Sequence, residues 1–174
     1  MTTANKLTIL RIVLVPVFLG VLYAGFNGSN YVALAIFIIA SLTDLLDGYI
    51  ARHYNQITNF GKFMDPLADK ILVMSAMCWF VEAHKMPGWV LAIVLLREFA
   101  VSGMRLVAVE QGRVIAAAWS GKVKTASTMV CLCLMMLSIP EWLNTVCVVV
   151  IVATTVYSGI EYFVKNKDVF KNAD

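Results

Sequence analysis

Asp44-Leu-Leu-Asp47-Gly48-Tyr-Ile-Ala51-Arg52, then eight residues, then Gly61-Lys-Phe-Met-Asp65-Pro-Leu-Ala-Asp69: this stretch decides how the chain is read. Four of the six aspartates fall in this window of 26 residues, and the other two, Asp168 and Asp174, lie in the tail. The surroundings are strongly apolar. Of 174 residues, 60% are hydrophobic and 14% charged, against about a quarter charged in a soluble domain. So many apolar side chains exceed what a soluble fold of this length can bury, which points to an integral membrane protein. Four carboxylates beside a bilayer then need a cation or a function to keep them charged.

Working outward, hydrophobic runs and their breakers predict an all-α, polytopic chain, a single domain over 1–174. Six spans are expected near 6–24, 31–53, 62–82, 88–110, 121–139 and 142–165, each close to the roughly 20 apolar residues a spanning helix needs. The breaks are Gly25 to Asn30, the motif loop 53–61, His84 to Gly88, Glu110 to Arg113, and Ser138 to Glu141, all rich in turn or helix-stop residues. Lys6 and the apolar run after it resemble a signal peptide, but Arg11 interrupts the run, and the segment reads as an uncleaved first span. The four cysteines, Cys78, Cys131, Cys133 and Cys147, lie in apolar runs and are expected as buried small side chains.

Lysine and arginine in the flanks set the orientation. With a cytosolic N-terminus, one side and its helix ends hold Lys6, Arg11, Arg52, Lys62, Lys70, Arg105, Arg113, Lys122, Lys124, Lys165, Lys167 and Lys171; the other side holds Lys85. Both termini and the motif loop then face the cytosol, with a cytosol-facing active-site pocket. With a net charge of only +3, a membrane partner is expected and a nucleic acid is not.

On helices, Asp44, Asp47, Gly48 and Ala51 form one stripe, and Asp65 and Asp69 another. By helical rise Asp44 lies about 12 Å along the axis from Arg52, at headgroup depth. All-oxygen ligands suit Mg²⁺ or Mn²⁺ better than zinc. Gly48 and Ala51 keep the stripe free of bulk, and Arg52 can pair with phosphate oxygens. Simple pairing with Lys62, Lys70 or Arg52 would account for one of these acids but not for four so spaced.

The pattern D-x2-D-G-x2-A-R-x8-G-x3-D-x3-D resembles the signature of the CDP-alcohol phosphotransferase family, with every fixed position matched. The resemblance implies a six-helix membrane enzyme, usually a homodimer, using two divalent cations. It implies Asp44, Asp47 and Asp65 as the main metal ligands, with Asp69 as the proton acceptor and a possible contact to the second ion. Gly48, Arg52 and Thr58 would contact the CDP portion. The opening Asn5 to Arg11, which adds Asn5 and Thr8 to the CDP-diacylglycerol site, is similar to bacterial phosphatidylglycerophosphate synthases. So are the segments Arg97 to Arg105 and Gly121 to Thr125. That branch implies transfer from CDP-diacylglycerol to sn-glycerol 3-phosphate in a bacterial cell membrane.

Charge supports an anionic acceptor independently. Arg97 falls near the middle of a predicted span, where an ionisable residue is costly and a functional candidate. Arg105, Lys122 and Lys124 lie toward the cytosolic side, so Arg97, Arg105, Lys122 and Lys124 are the candidate glycerol-phosphate-binding residues. The bland alternatives are an Arg97–Glu98 pair and lysines that follow the positive-inside rule. Rival acceptors are inositol phosphate, or phosphatidylglycerol to give cardiolipin. A cation transporter would place its acids near the midplane, which these are not. His53 and His84 are expected to take no part in the chemistry.

Overall fold

A computed structural model describes residues 3–53, 59–116 and 118–171, with side chains for 7–43, 64, 67, 68, 70–116 and 118–169. The described residues form six long helices and one short one: α1 (Thr3–Ala24), α2 (Ser29–His53), α3 (Asn59–Glu82), α4 (Gly88–Glu110), α5 (Trp119–Met136), α6 (Glu141–Lys165) and α7 (Asp168–Lys171). No strand occurs among them.

The helix ends follow from backbone chemistry. After Ala24, Gly25 takes φ 60°, a left-handed conformation in which glycine carries no Cβ penalty. After α4, Gly112 takes φ 71°. There the Arg113 amide donates to the Ala108 carbonyl and the Gly112 amide to Val109, the paired closure of a Schellman motif. Pro87 and Pro140 stand at the N-caps of α4 and α6 in extended conformation. His84 and Ser138 adopt positive φ after α3 and α5, so His84 serves a turn. The predicted spans match the helices closely. Each helix end falls within three residues of its predicted bound; α5 stops at Met136 rather than 139, where Ser138 makes a left-handed turn at the start of the expected break.

The chain divides into two compact units, Met1–Ala83 with Cys133–Ile139, and His84–Leu132 with Pro140–Asp174. In the first, α1 packs against both α2 and α3. Thr8, Arg11, Val15, Phe18 and Leu22 form its buried stripe, at alternating spacings of three and four. It meets Ala33, Phe37 and Ala40 of α2, with the Phe18 and Phe37 rings 5.9 Å apart, and Ala68, Leu72, Ala76 and Phe80 of α3 are buried as well. In the second unit α4 packs on α6 and α7. Val101, Met104 and Ala108 of α4, Tyr162 of α6 and Val169 of α7 form one core, with Val107, Ile115 and Ala118 against it. Asn144 at the start of α6 donates to the Lys85 carbonyl at 2.6 Å, tying that turn to α6.

Outward faces are also apolar: Val13, Val17, Ile38, Ile39, Leu96, Phe99, Leu106, Val149 and Ile160 are exposed. Helices hydrophobic all round belong in a protein core or in lipid. Among the described residues, Leu7–Ala24 of α1 and Glu141–Lys165 of α6 are long and apolar enough to cross a membrane. The cysteines are free; Cys131 and Cys147 are buried, Cys133 is half-buried, and Cys78 is exposed. The exposure of Cys78 departs from expectation. A small apolar side chain suits an outward face as well as a core one where that face is apolar throughout.

Candidate active site

The motif aspartates stand on two consecutive helices. Asp44 and Asp47 lie toward the C-terminal end of α2, with Gly48, Ala51 and Arg52 after them, and Asp65 and Asp69 lie in the N-terminal half of α3. Each pair is one helical turn apart. Only the backbone of these residues, and of Asn5, is described, and Thr58 lies outside the described residues. The donor set fits a hard divalent cation: carboxylates alone, in pairs on neighbouring helices.

α1 brings polar side chains toward this region. The Phe18–Phe37 pair fixes the register of two helices joined by a tight turn. Thr8 and Arg11 lie toward the N-terminal end of α1, on its buried stripe. Thr8 and Arg11 are both fully buried. An arginine is seldom buried without anionic company, so Arg11 joins the candidates although the sequence offered it only as a topological charge.

The cations of the second unit fall into two settings. In the first, Arg97 of α4 and Lys124 of α5 both donate to Glu98 Oε1, each at 2.8 Å. The second Nη of Arg97 donates to the Ser158 hydroxyl of α6 at 2.6 Å. Side-chain exposures of 12% for Arg97, 14% for Glu98 and 5% for Lys124 make this a desolvated cluster. Arg97 threads between two glycines: a Cβ on Gly121 would lie 3.4 Å from its Nη2, and one on Gly159 would lie 3.4 Å from its Cγ. A methyl group at either position would stand in van der Waals contact with the arginine.

In the second setting, Arg105 of α4 is exposed. Its Nε donates to the Tyr162 hydroxyl at 3.0 Å, and its guanidinium carbon lies 5.6 Å from the Tyr162 ring centroid, within cation–π range. No carboxylate pairs with it among the described residues. Lys122 is likewise exposed, with no ion pair there. Nearby, Trp119, Ser120, Val123, Thr154, Tyr157 and Glu161 line an open groove of about 230 Å³, and Glu161 pairs with Lys165.

Thus the structure joins two of the four predicted acceptor cations, Arg97 and Lys124, through Glu98, while Arg105 and Lys122 have no ion pair among the described residues. The sequence suggests Glu98 only as a neutralising neighbour of Arg97, and gives no sign of Tyr162 or Ser158 as companions of the α4 arginines. A buried cation in a span was the one signal that could have pointed to Glu98.

The model of the CDP-alcohol phosphatidyltransferase family matches residues 1–157. The chain belongs to that family. It is 40% identical to the CDP-diacylglycerol–glycerol-3-phosphate 3-phosphatidyltransferase of Bacillus subtilis (strain 168), over 98% of this chain and 97% of the relative. It is 42% identical to a probable phosphatidylglycerophosphate synthase of Mycobacterium tuberculosis, over 91% and 78%. It is 43% identical to a Salmonella typhimurium protein with the same name as the Bacillus one, over 72% and 71%. Membership accounts for the motif on α2 and α3 and for a membrane-associated, all-helical enzyme.

Proposed function

We propose that the protein transfers a phosphatidyl group from CDP-diacylglycerol to sn-glycerol 3-phosphate, giving phosphatidylglycerophosphate and CMP. The observation that carries this reading is the likeness to the Bacillus transferase across almost its whole length, and the complete aspartate motif on α2 and α3 supports it. The chain works in a bacterial cell membrane as a six-span homodimer with both termini cytosolic. Support for that arrangement is the apolar exterior and the bias of lysine and arginine to one side.

Asp44, Asp47, Asp65 and Asp69 hold two divalent cations, Mg²⁺ or Mn²⁺. When bound, these neutralise the diphosphate and stabilise the departing CMP. Gly48 lets the CDP portion approach the α2 backbone, Arg52 pairs with its phosphate oxygens, and Asn5, Thr8 and Thr58 complete that site. Asp69 takes the proton from the acceptor hydroxyl as its oxygen attacks the lipid-linked phosphorus. The new P–O bond forms as the bond to the CMP phosphate breaks, and CMP leaves with the electron pair. Arg105 and Lys122 hold the phosphate of the acceptor. Arg97 and Lys124, tied to Glu98, contribute through the net positive charge of their cluster.

The test supplies purified protein with CDP-diacylglycerol and a divalent cation, then offers glycerol 3-phosphate, inositol phosphate, inositol or phosphatidylglycerol in turn. CMP release is expected with glycerol 3-phosphate, and none from Asp69→Asn. Release only with another alcohol would replace the acceptor; full turnover by Asp69→Asn would remove the base.

A further inference from the structure

We propose that Tyr162 is a positioning residue that presents Arg105 to the acceptor's phosphate; this rests on the acceptor reading above. Three observations converge on it. First, among the described residues Arg105 is engaged by one nitrogen. Its Nε donates to the Tyr162 hydroxyl at 3.0 Å, and among the described residues its two Nη groups meet no acceptor. A guanidinium binds phosphate best through two parallel N–H bonds. Anchoring at Nε by a neutral hydroxyl leaves the Nη1–Nη2 edge for that purpose and leaves the full positive charge unspent.

Second, the anchor itself is fixed. Tyr162 is 2% exposed and sits in the core of Val101, Met104, Ala108 and Val169, so its hydroxyl cannot follow a wandering arginine. The ring under the guanidinium, 5.6 Å from centroid to carbon, restrains the head in a second direction. A long exposed arginine ordinarily carries large rotamer freedom, which is lost on binding. Held on two sides beforehand, it loses less, and affinity rises accordingly.

Third, the other arginine of α4 shows the contrasting arrangement. Both Arg97 Nη groups are occupied, by Glu98 and Ser158, and its charge is shared with a carboxylate. An anion arriving there would compete with Glu98, whereas at Arg105 no carboxylate among the described residues competes with it.

The test is steady-state kinetics on full-length protein in lipid nanodiscs, with KM for glycerol 3-phosphate and for CDP-diacylglycerol measured separately. Tyr162→Phe keeps the ring and removes the hydroxyl. It should raise the glycerol 3-phosphate KM about three- to tenfold, with the CDP-diacylglycerol KM within about twofold of the parent. Added to Arg105→Ala it should have no further effect, because its role runs through that arginine. Arg105→Lys keeps the charge but has no Nε to be held, and should be nearly as weak as Arg105→Ala; it serves if the tyrosine variant fails to fold. A Tyr162→Phe effect equal on both substrates, or undiminished in the Arg105→Ala background, overturns the proposal. So does an Arg105→Lys enzyme with the parent KM. An unmodified protein that releases CMP only with another phosphate-bearing acceptor refutes the glycerol 3-phosphate assignment, and the same variants, measured on that acceptor, then decide the role of Tyr162.

Discussion

Arg97 and Arg105 lie two turns apart on one helix, about 12 Å by helical rise, in opposite electrostatic conditions. Arg97 runs between Gly121 and Gly159 into a cluster where Glu98 also takes Lys124. Arg105 is exposed, rests on a tyrosine and has no counter-ion among the described residues. The difference teaches that a count of cations does not locate an anion site. Donor groups still open, and charge not already balanced, do. Arg97, Glu98 and Lys124 together carry one net positive charge, spread over a desolvated cluster that joins α4, α5 and α6. Such a cluster holds helices together and contributes a background field, while Arg105 has the fork that phosphate needs.

The largest expected effect tests the first half of that contrast. Glu98→Gln leaves two buried cations without their shared carboxylate. Removing one partner of a buried ion pair typically costs about 3–5 kcal/mol. The variant should therefore unfold at markedly lower temperature or denaturant concentration, with the parent's lipid and metal supplied. If instead its stability matches the parent and only the acceptor KM changes, Glu98 belongs to the substrate site and the two arginines are not different in kind.

Next in size is Arg105→Ala. Losing charged hydrogen bonds worth about 1.5–3 kcal/mol should raise the glycerol 3-phosphate KM about 10–100-fold. Stability and the CDP-diacylglycerol KM should stay near the parent's, because the side chain is exposed. A matching rise for both substrates would mean that Arg105 shapes the whole enzyme and not the acceptor's phosphate.

Much of this was legible in the sequence, for local reasons. Gly25, Gly112, Pro87 and Pro140 mark helix ends by backbone chemistry, so the helices lie where the breakers put them. The aspartates stand out by their spacing, which places each pair one helical turn apart on α2 and on α3. Glu98 and Tyr162 were not. Residues 97 and 98 are adjacent on a helix and do not share a face, so their meeting depends on long side chains and on Lys124 and Ser158, 26 and 61 positions away. Nothing in the sequence singles out Tyr162, and only packing against α4 shows that its hydroxyl faces an arginine.

The smallest expected effect separates a fork from a point charge. Lys122 is exposed, with no ion pair among the described residues, on a flexible stem and without a tyrosine to hold it. A solvated ammonium acts mainly through its field, which salt screens over about 8–10 Å at physiological strength. Lys122→Ala should raise the glycerol 3-phosphate KM about two- to fourfold at low ionic strength, and the difference should fade as potassium chloride is added. The Arg105→Ala defect should persist in the same salt series, because bidentate hydrogen bonds at a fixed guanidinium depend on contact more than on range. If the two defects faded together, Tyr162 would be conferring nothing on Arg105 that a loose lysine lacks. If neither faded, Lys122 would hold the phosphate by fixed contact as Arg105 does, and the contrast between a fork and a point charge would fail.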